Sequence, residues 1–260
     1  MKKQYDVVVI GAGSGGLTAA VGFAKVGKKV LLVEREHIGG ECTNSGCIPS
    51  KALLHAAKVG MTGPDAFSYV RKTVDTILAE ETPEAFEKLG IDVVMGEAEF
   101  VSKCAIKIGT DTYEYKTAII ATGSSPRLIP IEGLNESDIL TNQNIFELKD
   151  IPEKLLVVGG GPIGMEMAQA FALLGSEVTI LERGEHFAAL EDEAIRPVIT
   201  ATFEKLGITI ETRAVIKEVA GNIAHYDILN HDSIERQARI AFDKVLIAIG
   251  RVPNLPAGLD

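Results

Sequence analysis

Tryptophan is absent from the 260-residue chain, aromatic residues make up only 5%, and there are just three cysteines. So few cysteines exclude a small scaffold stapled by disulfides. No apolar run approaches the roughly 20 residues of a membrane-spanning helix. Basic residues are in deficit, since 26 Lys and Arg against 36 Asp and Glu give a formal net charge of −10. That balance excludes nucleic acid or an anionic membrane as the main partner, because both need clustered cations. No secretory signal is expected from the first residues. Asp6 separates Met1-Lys2-Lys3 from the apolar Val7 to Ile10, and no small-residue cleavage site follows. The expected location is the cytoplasm, a reducing compartment in which a close pair of cysteines is catalytic rather than structural.

What is present is a hydrophobic fraction of 46% and 26 glycines, the composition of an α/β chain with many tight turns and enough length for two domains. Tyr5 to Ile10 is a continuous apolar run and predicts a strand buried on both faces of a parallel sheet. Gly11-Ala12-Gly13-Ser14-Gly15-Gly16 follows, then a helix from Leu17 to about Lys25, and a second strand from Lys29 to Val33 that ends in Glu34. Strand, glycine turn, helix, strand and acid together form a dinucleotide-binding unit. Gly11, Gly13 and Gly16 let the backbone approach a pyrophosphate at the helix N-terminus, and Glu34 accepts from a ribose hydroxyl.

The same pattern returns at Leu155-Leu156-Val157-Val158-Gly159-Gly160-Gly161-Pro162-Ile163-Gly164. Gly11 matches Gly159, Gly13 matches Gly161, Gly16 matches Gly164, Gly27 matches Gly175 and Glu34 matches Glu182. Two such units serve two nucleotides, or one nucleotide beside a relic. Glu182 favours NAD over NADP, because a 2′-phosphate would meet a like charge, although Arg183 next to it works against this. Lys244 to Ile249 with Gly250-Arg251-Val252-Pro253 echoes Thr117 to Ile120 with Ala121-Thr122-Gly123-Ser124-Ser125-Pro126, so each unit closes on a strand and a glycine turn.

Between the units lies Gly39-Gly40-Glu41-Cys42-Thr43-Asn44-Ser45-Gly46-Cys47-Ile48-Pro49-Ser50-Lys51. A regular helix would set Cys42 and Cys47 about 7.5 Å apart along its axis, so for the sulfurs to meet the pair must sit on a loop or a bent first turn. Ser50 to Lys58 reads as a helix with Pro49 near its start, which puts Cys47 at an N-terminus whose partial positive charge, with Lys51 one turn on, favours a thiolate. A redox pair is the preferred reading. Two buried apolar cysteines, or a metal site with His37 and His55 that lacks a C-x-x-C pair, are the alternatives. Further on, Met61 to about Leu89 is expected to be helical with a fresh start at Thr82-Pro83-Glu84. Ile91 to Met95, Glu97 to Ser102, Ala105 to Ile108 and Thr112 to Tyr115 are expected to be short antiparallel strands, with Cys104 packed among them.

These residues together resemble the flavoprotein disulfide reductases with a C-x-x-x-x-C centre, the group that includes dihydrolipoamide dehydrogenase, glutathione reductase and mercuric reductase. The resemblance implies two Rossmann-like domains with parallel sheets, each with a small antiparallel insertion: an FAD-binding domain over residues 1–150, carrying the cysteine pair, and an NAD(P)-binding domain over 151–260. It implies that Gly11, Gly13, Gly16, Glu34, Gly40, Ala98, Thr122 and Gly123 meet FAD. Lys51 would sit near the flavin with Glu166 as its partner, whereas by itself Glu166 reads as a solvated helix residue. Gly159, Gly161, Gly164, Glu182 and Gly250 would meet NAD, or NADP. The implied function is electron transfer between NAD(P)H and a small-molecule or protein-linked disulfide through flavin and Cys42/Cys47, most like dihydrolipoamide dehydrogenase. A mercuric-reductase-like enzyme, taking a soft metal ion as substrate, and a non-catalytic nucleotide-binding module are the alternatives. The group continues past a point matching Asp260 with a segment that completes the FAD site and a domain that forms a homodimer and carries a His-Glu pair. His37, His55, His186, His225 and His231 do not match that pair, so the sequence reads as a truncated or divided enzyme.

Overall fold

The structure is a computed structural model that describes residues 3–230 and 233–259; His231 lies outside the described residues. The chain divides into two compact units, one of residues 3–48, 72–125 and 252–259, the other of residues 49–71 and 126–251. Among the described residues no helix is long and apolar enough to cross a membrane.

The first unit is built on β1 (Lys3–Ile10), α1 (Ser14–Lys25), β2 (Val30–Glu34), β3 (Ile91–Met95), β4 (Ala98–Ser102), β5 (Ala105–Ile108) and β6 (Asp111–Ile120). The six strands lie in the order β3-β2-β1-β6-β5-β4. β1 pairs in parallel with β2 and β6, so Val7 lies beside Val30 and Thr117. Val7, Val9, Val30 and Leu32 pack on one face, and Tyr5, Val8, Ile10, Leu31 and Val33 on the other. Burial of both faces is why these strands read as unbroken apolar runs.

Three expectations need correction here. β3 is parallel, paired with β2 from Val30↔Ile91 to Glu34↔Met95, because it extends the nucleotide-binding sheet instead of joining the antiparallel insertion. Thr112 to Tyr115 and Thr117 to Ile120 are one strand, β6, antiparallel to β5 at its start and parallel to β1 along most of its length. Lys116, between the two predicted segments, sends Nζ to within 2.7 Å of Asp6 Oδ1. Cys104 is exposed, so packing is not its role.

The residues between β2 and β3 form α2 (Gly40–Asn44), α3 (Cys47–Lys58), α4 (Gly63–Leu78) and α5 (Pro83–Glu87). Thr82 caps α5 by accepting from the Ala85 N–H, as its sequence suggests.

The second unit repeats the plan. β8 (Ile139–Leu140), β9 (Lys154–Val158), β10 (Glu177–Leu181), β11 (Thr209–Glu211) and β15 (Lys244–Ile247), numbered in a series that counts Ser124–Pro126 as β7, form a parallel sheet in the order β11-β10-β9-β15-β8. On one face, Leu155, Val157 and Ile180 pack against Met167, Ala168 and Phe171 of α6 (Pro162–Leu173) and against Leu53, Ala56 and Phe67 of α3 and α4. Phe67 and Phe171 are fully buried, each worth about 1.5–3 kcal/mol of apolar transfer. On the other face, Leu156, Val158 and Val245 meet an antiparallel sheet of β12 (Ala214–Ala220), β13 (Ile223–Asn230) and β14 (Ser233–Ala241). Each unit thus joins a parallel nucleotide-binding sheet to a small antiparallel insertion, the Rossmann-like α/β architecture expected of the sequence.

Candidate active site

In the first unit the chain turns sharply between β1 and α1. Gly11 adopts φ +102°, and a Cβ there would lie 2.3 Å from the Ala121 carbonyl oxygen. A Cβ on Gly16 would lie 1.8 Å from the Gly11 carbonyl oxygen, so α1 can approach its strand only with hydrogen at that position. A Cβ on Gly13 meets only the Gly40 Cα, at 3.7 Å, and one on Gly15 meets nothing. The side facing away from the sheet is therefore open. No side chain caps α1, and its first turn holds no acid. Its free N–H groups and partial positive charge suit an anion. Glu34, at the end of β2, accepts from the Ala12 N–H at 2.7 Å and the Glu36 N–H at 2.8 Å, which fixes its carboxylate beside the turn. The Gly96 N–H donates to the Glu34 carbonyl oxygen at 2.7 Å, setting buried Ala98 next along that edge.

The cysteine stretch is tied to this turn. The Gly39 N–H donates to the Ala12 carbonyl oxygen at 2.9 Å, and a Cβ on Gly40 would lie 2.5 Å from the Gly13 Cα. Asn44 donates from Nδ2 to the carbonyl oxygens of Ile38, at 3.1 Å, and Gly40, at 2.8 Å, which closes the loop on itself. Cys42 lies within the short helix α2, and Cys47 is the first residue of α3. The break between the two helices brings the cysteines back together. Both are thiols, Cys42 half-buried and Cys47 exposed. Burial raises the Cys42 thiol above its ordinary range; the hydrogen-bonded Cys47 sulfur and its charge add to this, the Cys47 backbone N–H opposes it, and the Glu81 carboxylate adds a little more.

At the far end of β6, Thr122 and Gly123 are held by Asn254. Thr122 Oγ1 donates to the Asn254 carbonyl oxygen at 2.6 Å, Asn254 Nδ2 donates to the Thr122 carbonyl oxygen at 3.1 Å, and the Asn254 N–H donates to that of Gly123 at 3.0 Å. Ser125 Oγ donates to Asn254 Oδ1 at 2.7 Å.

The second unit copies the first turn. A Cβ on Gly159 would lie 2.4 Å from the Ala248 carbonyl oxygen, one on Gly164 would lie 2.1 Å from that of Gly159, and one on Gly161 would meet nothing. α6 is likewise without a side-chain cap and without acid in its first turn. Glu182 accepts from the Gly160 N–H at 2.7 Å and the Gly184 N–H at 2.5 Å. Within this unit Lys51 Nζ lies 2.8 Å from Glu166 Oε1, so two residues far apart in sequence form one ion pair. The Gly250 carbonyl oxygen accepts from the Arg127 N–H at 2.9 Å, and Arg251 donates to Asn142 Oδ1 at 3.2 Å. No group of three or more His, Cys, Asp or Glu that could hold a metal occurs among the described residues.

A family profile described as pyridine nucleotide-disulphide oxidoreductase matches residues 5–258. The chain belongs to this family. It is 33% identical to a mercuric reductase of Staphylococcus aureus over 268 residues, which cover 96% of the chain and 49% of that protein. It is 32% identical to a dihydrolipoyl dehydrogenase of Acholeplasma laidlawii over 275 residues, 98% of the chain and 80% of that protein. Among solved structures it is similar to the HOCl-induced flavoprotein disulfide reductase RclA from Escherichia coli, with a TM-score of 0.86 and 32% identity over 96% of this chain and 57% of that one. The chain spans about half the length of the mercuric reductases it matches.

The disulphide oxidoreductase family implies FAD and NAD(P), and the residues present fit both. Each unit offers an uncapped helix N-terminus, glycines that leave space on the outer side of the turn, and a fixed carboxylate at the end of the second strand. Asn44 lies in the cysteine stretch and Asn254 in the Gly250-Arg251-x-Pro253-Asn254 stretch, both of which carry the resemblance, but the contacts the two make are not readable from the motifs. Asn254 follows Gly250-Arg251-Val252-Pro253, and that adjacency was the one available signal; its hydrogen bonds to Thr122 span 132 positions.

Proposed function

We propose that this chain is the nucleotide-binding portion of an oxidoreductase that carries electrons between NAD(P)H and a substrate disulfide. The observation that supports this best is the contact between the Cys42 and Cys47 sulfurs across the break between α2 and α3, on a stretch whose Gly39 N–H donates to the Ala12 carbonyl oxygen in the first glycine turn. When bound, FAD and NAD(P) supply two-electron transfer between a flavin and a nicotinamide. Residues 1–150 are assigned to FAD and residues 151–260 to NAD(P). Gly11, Gly13 and Gly16 cradle the pyrophosphate of FAD, Glu34 takes its ribose, and Gly40, Ala98, Thr122 and Gly123 complete the chain's contribution. Gly159, Gly161, Gly164 and Gly250 line the nicotinamide dinucleotide site. Glu182 sets the preference for NAD over NADP, since its carboxylate repels a 2′-phosphate.

Cys42 and Cys47 do the thiol chemistry. In the oxidised protein they share a disulfide. Two electrons and one proton open it to a thiol and a thiolate; the thiolate attacks the substrate disulfide, forming a mixed disulfide and releasing one substrate thiolate, and the other cysteine then closes the Cys42–Cys47 disulfide, releasing the second substrate sulfur and giving up its proton to one of the two. Lys51, held by Glu166, provides positive charge beside this chemistry. The preferred substrate is a lipoamide-like disulfide, for which net flow runs toward NAD. A catalytic dithiol also suits a reducing cytoplasm.

The test is a side-by-side assay of lipoamide, oxidised glutathione and mercuric ion with NADH and with NADPH, on protein whose absorption spectrum establishes bound flavin. Turnover of lipoamide with NADH above the other combinations is expected. Flavin-loaded protein that consumes NADH with none of the three would refute the proposal.

A further inference from the structure

In the second unit β10 and β11 run side by side as far as Leu181↔Glu211, so Glu182 and Arg213 both stand just past the carboxyl ends of their strands. That is the side from which open parallel sheets take their ligands. Gly184 links the two residues. Its N–H donates to Glu182 Oε1 at 2.5 Å, and its carbonyl oxygen accepts from the Arg213 N–H at 2.9 Å, while the Ala214 N–H donates to the Glu182 carbonyl oxygen at 2.9 Å. The Arg213 backbone is thereby fixed beside the carboxylate assigned to the ribose. Its pose is an unusual one. Arg213 has φ +55°, and among the described residues only Ala188, at the other end of the same loop, shares a positive φ without being glycine. A side chain is disfavoured in that region, and the pose persists because the Arg213 N–H is engaged by Gly184 and its carbonyl oxygen accepts from the Leu229 N–H at 2.9 Å.

From this fixed backbone the Arg213 guanidinium meets the carboxylate of Glu185, on the loop itself. Their side chains remain 40% and 60% exposed, so the pair is open to solvent. Arg236 is taken up by both oxygens of Glu211, at 3.2 and 3.0 Å, and Arg183 is exposed between Glu182 and Gly184. We propose that Glu185 is a second specificity residue of this nucleotide site, because by holding Arg213 it withholds from a 2′-phosphate the cation that the backbone places beside Glu182. Arginine suits a phosphate through its paired N–H donors. Glu182 rejects the phosphate by like charge, and Glu185 removes the group that would offset that rejection. The inference rests on reading this unit as the NAD(P) site and deepens its preference for NAD.

Calorimetric titration of the full chain with oxidised NAD and with oxidised NADP, in the absence of any electron donor, measures binding without turnover. In Glu185→Gln and Glu185→Ala the affinity for NADP relative to NAD is expected to rise about fivefold, the scale of one exposed charge pair. Glu182 keeps its backbone hydrogen bonds in both variants, so the change reads the Glu185–Arg213 pair alone. Adding Arg213→Gln to either variant is expected to abolish the gain. No rise in either single variant, or a rise that survives the loss of Arg213 and so belongs to Arg183, would overturn the proposal. Failure of the folded wild-type chain to bind either nucleotide would overturn the NAD(P) reading beneath it, and the proposal with it.

Discussion

Replacing Gly16 with alanine is expected to open the first unit, while the same replacement one residue earlier leaves it intact or tightens it. The Gly16 Cβ would stand 1.8 Å from the Gly11 carbonyl oxygen, so that oxygen would have to move by about 1 Å to reach a normal contact. Gly11 is held in place by its own N–H, which donates to the Val33 carbonyl oxygen at 2.8 Å, and by a turn so close to Ala121 that no Cβ fits at position 11. Overpacking that displaces backbone costs about 1–3 kcal/mol and at times more; with both backbone segments fixed, about 3 kcal/mol is expected. Gly15 is exposed, and its Cβ meets nothing within 4 Å. Alanine there gains about 0.5–1 kcal/mol of helix propensity. The difference of roughly 4 kcal/mol corresponds to nearly three orders of magnitude in local opening, at about 1.4 kcal/mol per decade. Native-state hydrogen exchange on peptides covering β1 and α1 reads this directly. If the two variants agree within about 0.5 kcal/mol, the close approach of α1 to its strand is not the reason for glycine at position 16.

Asn254→Ala removes two side-chain hydrogen bonds, to the Thr122 carbonyl and from Ser125, and is expected to cost about 1–3 kcal/mol; faster exchange at Thr122 and Gly123 would show it, and unchanged exchange would refute it. Lys51→Met breaks a pair whose lysine side chain is 64% exposed, so unfolding free energy should change by less than about 1 kcal/mol, while NADH-driven reduction of the cysteines slows at least about tenfold. Asp138 is held below the usual carboxylate range chiefly by its hydrogen bond from Lys244 Nζ at 2.8 Å. Because its pKa is depressed on folding, its contribution is present above the unfolded value and lost as pH falls through the folded one. Asp138→Asn should therefore destabilise at neutral pH and converge on the wild type in acid, as urea titrations at the two conditions would reveal.

Features fixed by local spacing were legible in the sequence. Each glycine turn lies between a strand and a helix with an acid 18 residues past the last glycine, and the structure seats both acids, Glu34 and Glu182, on their turn amides by the same pair of hydrogen bonds. What spacing does not carry is long-range choice. β3 has the composition of an insertion strand, yet parallel pairing with β2 decides its direction. Glu166 in isolation is one polar residue on an amphipathic helix, and only folding sets it against Lys51, 115 positions away. Asn254 reaches Thr122, 132 positions away, through hydrogen bonds that local periodicity does not predict.

The central claim is that two sulfurs, Cys42 and Cys47, exchange electrons with a nucleotide bound to this chain. Counting free thiols in flavin-loaded protein before and after anaerobic addition of NADH tests it most directly. Two new thiols per chain, both absent from a Cys42→Ser, Cys47→Ser double variant, are the expected result. An unchanged count in flavin-loaded protein would contradict the account.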